Sequence, residues 1–299
     1  MTSNFTRKGI ILAGGNGSRL FPITKGISKQ LMPIYNKPMI YYPLTTLMLS
    51  GIREFLVITT IKDESSFKKL LGNGEELGIN ISYATQESPD GIAQAFLIAE
   101  NFIKDSPVAL ILGDNLFHGS YLEDKLMSVN LKHDQNTIFA FPVNDPQRYG
   151  VVEFDKNKRV IDIIEKPKNP KSRYAITGLY FFDNSVAEKA KKIIPSQRGE
   201  LEITSINNLY LEEENLNVET FGRGMSWLDT GTFDSLHQAG SYIRILEKRQ
   251  GLKIGCPYEV AWRKGWINDE KFKISGKNFL KSSYGDYFIN LLEEKNNNL

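Results

Sequence analysis

The chain has 299 residues, 41% hydrophobic and 24% charged, enough to bury a sizeable core in one large domain or two ordinary ones. Lys and Arg (37) nearly cancel Asp and Glu (35) for a net charge of +2. Nucleic acid and anionic membranes demand dense charge of one sign, so neither is expected as the main partner. A single cysteine, Cys256, excludes an intrachain disulfide and a thiolate zinc cluster, and His118, His133 and His237 show no ligand spacing.

The residues before Lys8 lead into an apolar run at 10–13 that is too short for a signal peptide. No stretch approaches the ~20 apolar residues of a spanning helix, so a cytoplasmic protein is expected. Strand-like runs follow at 9–13, 55–59, 79–83 and 108–112; the first, second and fourth are almost continuously apolar, as strands covered on both faces are. Helical patterns lie between them at 38–49, 65–71 and 92–103, with Pro38 in a first turn and Pro43 expected to kink or restart its helix. This alternation implies a mostly parallel sheet with right-handed crossovers.

After about residue 137 the texture changes to strands at 137–143, 150–154, 160–164 and 174–182, separated by short Pro-, Asn- and Lys-rich turns, which predicts a mixed or antiparallel region. Helices return at 184–193, 204–213 and 233–249, the last with Phe233, Leu236, Gly240, Ile243 and Leu246 on one stripe. Further helical patterns cover 256–267 and 284–294. Trp262 and Trp266 serve equally well as interface or core. No linker composition or repeat divides the chain, so one integrated α/β domain with a C-terminal helical extension is expected.

Leu12-Ala13-Gly14-Gly15-Asn16-Gly17-Ser18-Arg19-Leu20 follows the first strand directly. Its glycines let the backbone approach a ligand, successive N–H groups can face an anion, and Arg19 and Lys29 add positive charge. It is not the dinucleotide fingerprint, whose third glycine is here Leu20, nor a P-loop, which requires Gly-Lys-Ser/Thr. Taken alone, the turn is equally well read as an ordinary strand-to-helix connection. Asp114, at the end of an apolar strand, is by type and position as much a turn cap as a ligand for a hard metal. Any single lysine is by default a solvated charge.

More specific are blocks at 9–20, 27–33, 37–43, 86–95, 112–115, 148–154, 165–167, 177–180, 198–204, 227–232 and 249–253. In this order, and spanning about residues 8 to 287, they resemble the sugar-phosphate nucleotidyltransferases, in particular the branch that transfers a thymidylyl group to glucose 1-phosphate. The resemblance implies a Rossmann-like α/β fold, the nucleotide-diphospho-sugar transferase fold. Its mixed, mostly parallel central sheet is flanked by helices, with a nucleotidyltransferase domain at 8–241 and a C-terminal helical extension at 242–299. It also implies Mg2+ as cofactor, dTTP and glucose 1-phosphate as substrates, and a homotetramer of paired dimers. The product, dTDP-glucose, begins the route to dTDP-rhamnose and related deoxysugars.

Residue by residue, the resemblance makes Arg19, Lys29 and Lys166 catalytic, the first two on the triphosphate and the third on the sugar phosphate. Asp114 and Asp229 become metal ligands. The nucleotide falls to Leu12, Gly14, Gly15, Gly17, Ser18, Arg19, Lys29, Gln30, Gln86, Gly91 and Asp114, with Gln86 and Gly91 reading the base. The sugar falls to Asn115, Gly150, Glu165, Lys166, Ile176 and Tyr180, although an ion pair within the sheet accounts for Glu165 as well. Gly119, Glu259 and Arg263 occupy positions of a second, regulatory nucleotide-sugar site. The reaction needs no covalent intermediate, because the sugar phosphate is already an anionic nucleophile; the protein must hold two polyanions in line and neutralise them.

Two other readings compete with this one. A UTP- or CTP-dependent sister enzyme would differ at a methyl or a hydroxyl, and a methyl-sized pocket discriminates by only ~1–3 kcal/mol; the segment 88–94 favours thymidine. A non-catalytic nucleotide-sugar sensor would be expected to lack one of Arg19, Lys29, Asp114, Lys166 and Asp229, and the chain has them all. No hexapeptide repeat suggests an attached β-helix acyltransferase.

Overall fold

The computed structural model describes residues 6–296. Its elements begin with β1 (Lys8–Ala13), a short hairpin of β2 (Pro33–Ile34) and β3 (Lys37–Pro38), α1 (Tyr41–Leu49), β4 (Glu54–Thr60), α2 (Glu64–Leu71) and β5 (Asn80–Gln86). Then come α3 (Gln94–Ile98), α4 (Glu100–Ile103), β6 (Val108–Leu112), β7 (Asn115–Gly119), α5 (Leu122–Asn130), β8 (Asn136–Pro142), β9 (Gly150–Phe154), β10 (Val160–Glu165) and β11 (Tyr174–Phe182). The remainder is α6 (Val186–Lys192), α7 (Ile203–Glu212), β12 (Leu216–Thr220), β13 (Met225–Asp229), α8 (Phe233–Gln250), α9 (Pro257–Arg263), α10 (Asp269–Lys277) and α11 (Ser283–Asn296).

A nine-stranded sheet runs β10-β9-β11-β6-β1-β4-β5, with β8 also on β11 and β12 on β8. β6, β1, β4 and β5 are parallel, while β11 runs antiparallel to β6, β8 and β9. The change of texture after residue 137 therefore marks the change from parallel to mixed pairing. Alternate residues of each central strand feed two cores. Ile11, Val57, Ile111 and Phe181 face one, and Ile10, Leu56, Leu110 and Phe182 the other. That is why these strands read as unbroken apolar runs.

The C-terminal helices belong to the first core: Tyr258, Ala261, Phe272 and Phe288 pack in one cluster with Leu44, Met48 and Leu77. Trp262 stacks on Phe272 with ring centroids 4.7 Å apart, half-buried within the extension. A third, smaller cluster joins the underside of α8 to the β2–β3 hairpin through Ile34, Met39, Tyr42, Ala239 and Ile243. Among the described residues no helix is long and apolar enough to cross a membrane.

Several expected elements differ. Pro43 kinks nothing, because α1 begins at Tyr41 and Pro43 lies in its first turn, where a backbone N–H would have no intrahelical partner and its absence costs nothing. Pro38 lies in β3 rather than in a helix. The helix expected over 92–103 is two pieces, α3 and α4, meeting at Ala99. That expected over 256–267 ends at Arg263. On α8 the buried side chains are Ala239, Ile243 and Glu247, while Phe233 is 45% exposed, so the stripe is rotated from the one the apolar residues suggest. β7, β12, β13, α5 and α10 had no counterpart in the sequence pattern.

Candidate active site

The glycine-rich turn leaves β1 at the edge where the parallel strands end, the usual ligand-binding edge of such sheets. Gly14 is buried there against the side chain of Gln86, the last residue of β5; any Cβ at this position would strike Gln86 Oε1. The Gln86 amide is oriented by Gln94, to whose Oε1 it donates, and Gln94 is itself held by Asp90. Gly91 adopts φ 113° and lies directly on the Leu201 backbone. Thus Gly14 and Gln86 meet at the sheet edge, while Gly15, Ser18 and Arg19 are exposed.

Lys29 and Gln30 lie in a short turn, Lys29–Leu31, and both are buried. Lys29 Nζ is paired with Asp114 Oδ2. Gln30 accepts from Ser28 Oγ at 2.9 Å and packs against Gly113, so its side chain supports the turn instead of facing the cleft. Asp114 follows β6 and Asp229 ends β13. The antiparallel β7–β13 pair places Asp229 opposite Asn115 and so brings two distant aspartates together. Thr230 reinforces the junction, donating from N at 3.2 Å and from Oγ1 at 2.8 Å to the Asp114 carbonyl.

Around this centre is a cleft of about 200 Å³. It gathers Arg19, Asp114, Asn115, Gly150, Glu165, Lys166, Ile176, Tyr180 and Asp229, so all the expected sugar and metal positions meet in one place. Lys29 reaches it through Asp114. The remaining nucleotide positions (Leu12, Gly14, Gly15, Gly17, Ser18, Gln30, Gln86 and Gly91) do not line it. The cleft also has walls that the sequence reading did not single out: Ile92, Leu112, Arg148, Tyr149, Gly178, Arg198, Glu200, Glu202, Ile203, Thr204 and Trp227. None of them announces a ligand contact by residue type; their one signal is that all eleven fall inside the blocks that carry the family resemblance.

The two carboxylates are electrostatically unlike. Burial would raise the Asp114 pKa, but Lys29, Asn115 and Arg19 outweigh it and hold the carboxyl below its ordinary value. Burial and the facing Asp114 push Asp229 up, against the pull of Lys29, Arg19 and Arg148. Asn115 is well anchored: its Oδ1 accepts from Gly178 N at 3.0 Å and from Trp227 Nε1 at 2.6 Å, and its Nδ2 donates one hydrogen to Asp114 Oδ1 at 2.9 Å. Glu165 accepts from Thr204 Oγ1 and faces Arg198 at 3.4 Å and Lys166 at 3.7 Å. Lys166 itself sits at φ 42°, a conformation costing a β-carbon residue ~1–3 kcal/mol, fastened by its N–H to the Tyr149 carbonyl at 3.0 Å.

Gly119, Glu259 and Arg263 also meet, in a separate cavity of about 460 Å³ between β7, the start of α5 and α9. Arg263 Nε donates to Glu259 Oε1 at 2.8 Å there. His118 lines the same cavity, half-buried, with its ring edge against Tyr242 at 6.0 Å.

A parallel sheet edge carrying a glycine turn, with paired aspartates and clustered cations beyond it, defines a class of α/β protein that handles phosphorylated ligands. The chain belongs to the nucleotidyl transferase family, whose model matches residues 8–244. It is 53% identical to a glucose-1-phosphate thymidylyltransferase of Neisseria meningitidis over 96% of this chain and 100% of that one. A solved Bacillus anthracis structure designated a glucose-1-phosphate thymidylyltransferase, in complex with sucrose, is 39% identical, with a TM-score of 0.74 over 80% of this chain and 96% of that one. A UDP-glucose pyrophosphorylase complexed with UDP-glucose has the same fold, with a TM-score of 0.70 at 23% identity over 81% of this chain and 99% of that one. Nucleotidyl transferases generally use a divalent metal.

Proposed function

We propose that this chain transfers the thymidylyl group of dTTP to α-D-glucose 1-phosphate, giving dTDP-glucose and pyrophosphate, the opening step toward dTDP-deoxysugars. The observation that carries this reading is the convergence of Asp114 and Asp229, from distant segments, at a cleft that also holds Arg19, Lys29 and Lys166. The relatives' substrates select thymidine over uridine chemistry.

Among the described residues no three His, Cys, Asp or Glu side chains form a ready-made metal cage. Two half-buried carboxylates nevertheless fit Mg2+, which takes one or two carboxylates and completes its shell with phosphate oxygens and water. Asp114 and Asp229 would hold it, and it supplies charge neutralisation at the α-phosphate. Asn115 keeps Asp114 aimed into the cleft. Lys166, set by its left-handed backbone, holds the sugar phosphate, and Arg19 and Lys29 stabilise the departing pyrophosphate. A sugar-phosphate oxygen then attacks the α-phosphorus as the bond to the pyrophosphate opposite it breaks.

Glu165 and Thr204 offer hydrogen bonds to sugar hydroxyls beside Gly150, Ile176 and Tyr180. Gln86, fixed by Gln94, reads the pyrimidine edge with Gly91 and the Leu12 and Gly14 backbone. We assign regulation by a nucleotide sugar to the cavity of Gly119, Glu259 and Arg263. A domain at 8–241 with its extension at 242–299, a cytoplasmic location and a tetramer of paired dimers complete the reading.

The deciding experiment follows pyrophosphate release with glucose 1-phosphate and dTTP, UTP, CTP, ATP or GTP, with and without Mg2+. Fastest release with dTTP in the presence of Mg2+ is expected. Preference for another nucleotide would move the chain to a sister activity, and no release with any of them would overturn the catalytic reading.

A further inference from the structure

The β2–β3 hairpin closes the stem of the turn that carries Lys29. Met39 N donates to the Met32 carbonyl and Ile40 N to the Gln30 carbonyl, both at 2.9 Å. Where the hairpin points away from the cleft, Lys37 Nζ is paired with Glu247 Oε1 of α8. Lys37 is 2% exposed and Glu247 7%, so this pair is inside the protein. Neighbouring Asn36 bridges the two, accepting from Lys37 Nζ at 2.7 Å and donating to Glu247 Oε2 at 2.9 Å.

Glu247 also faces the opposite way. Its Oε1 accepts from Ile254 N at 3.0 Å and its Oε2 from Lys253 Nζ at 3.3 Å, while Lys253 N donates to Tyr287 OH of α11 at 3.1 Å. The other end of α8 starts immediately after the Asp229 strand, capped by Thr232. One helix therefore grips both sides of the metal centre: Asp229 through its N-terminus, and Lys29 through Glu247 and the hairpin. A buried ion pair is weak grounds for net stability, but removing one partner strands the other charge and is costly. Such a pair is well suited to fixing a single placement of the segments it joins.

We propose that Glu247 is a positioning residue for the reaction, holding the Lys29 turn in register with Asp114 and tying it to the C-terminal helices. The inference rests on the reading above, that the triphosphate lies on the Lys29 side and the sugar phosphate on the Lys166 side. It predicts asymmetry. Loosening the clamp disturbs nucleotide use and leaves sugar-phosphate binding alone.

The test is Glu247→Gln in the full chain, assayed with dTTP and glucose 1-phosphate, alongside Lys189→Met. The latter breaks a similarly buried lysine's pair with Glu213 between α6 and the end of α7. Glu247→Gln is expected to raise KM for dTTP about fivefold or more and to lower kcat, with KM for glucose 1-phosphate changed less than about twofold. Amide exchange of residues 28–32 in the ligand-free protein should quicken. Lys189→Met should lower thermal stability while both KM values hold. Asn36→Ala, at an exposed hairpin tip, tests the same clamp without threatening the fold and should give the same split at about two- to threefold. Loss of thermal stability with unchanged kinetics and exchange, or an equal rise in both KM values, would overturn the proposal. The exchange readout needs no substrate, so a wild type that prefers another triphosphate would sink the functional reading and leave this one standing.

Discussion

Where β1, β5 and β6 end, the molecule offers backbone, a buried glutamine and an aspartate. Across the cleft, β9, β10 and β11 offer side chains: Glu165 closing β10, Ile176 and Tyr180 along β11, with Thr204 of α7 beside them. Parallel strands all end on one edge, so chain direction alone collects Leu12, Gly14, Gln86 and Asp114 there. The antiparallel strands have no such common end. Their contribution depends on register, as in the pairing of Glu165 with Gly150 and of Ala175 with Val151. On the proposed reading, the nucleotide side is thus set by topology and the sugar side by particular pairings, which would make the sugar side the easier place to alter specificity without altering the fold.

The two sides meet at Asp114, so breaking that seam should have the largest effect. Asp114→Ala removes a proposed metal ligand and strands the buried Lys29 ammonium; a loss of roughly 10³-fold or more in kcat/KM is expected. Pyrophosphate release within tenfold of wild type at ordinary Mg2+ would end the paired-aspartate assignment. Next comes the sugar side alone. Lys166→Met should cost roughly 10²-fold in kcat/KM for glucose 1-phosphate. Unchanged kinetics with that substrate would remove Lys166 from its role. On the nucleotide side, Gln86→Ala should raise KM for dTTP roughly tenfold, the value of one lost polar recognition contact, and leave KM for glucose 1-phosphate near wild type. If both KM values rise together, the two sides are not separable as the sheet suggests.

The same contrast explains what could be read from the sequence. The parallel half was legible because β1, β4 and β6 are buried on both faces and write apolar runs of the right length, and because the glycine turn follows β1 without interruption. β7 and β13 were not, since they form a two-stranded annex whose residues are mostly half-buried and show no alternation. Missing that annex hid the reason Asp229 meets Asp114, although both aspartates were picked out by resemblance. It also hid Asn115's partners: a residue that lines the cleft as expected has its Oδ1 held by Gly178 and Trp227 and one Nδ2 hydrogen held by Asp114. Thr204 and Arg198 belong to the cleft only because α7 and the loop before it fold over β10, a long-range fact with no local pattern. The buried face of α8 was misjudged for a related reason, because a charged residue, Glu247, occupies it where periodicity looks for a leucine.

The smallest effect probes the back of the antiparallel half, away from the cleft. Asp183, just past β11, accepts from Ser185 Oγ at 2.6 Å, Tyr210 OH at 2.9 Å and Asn136 Nδ2 at 3.1 Å, tying β8, α6 and α7 to the strand end. Burial would raise its pKa, but these hydrogen bonds win and hold it below the ordinary 3.8. A carboxyl depressed on folding contributes stability that is present above its unfolded pKa and lost as pH falls through the folded one. Asp183→Asn should therefore cost about 1 kcal/mol at pH 7, one charge-assisted contact weakened to a neutral one. Urea unfolding should show the gap between variant and wild type narrowing as pH falls below the unfolded value of 3.8 and closing once pH passes the lower folded value, where the native carboxyl is protonated too. A gap that stays constant with pH would mean that shape and not charge is what the site needs. Turnover at neutral pH should be unaltered; if instead KM for glucose 1-phosphate moves, the pairings that place Tyr180 and Ile176 reach further through β11 than the contrast between the two halves allows.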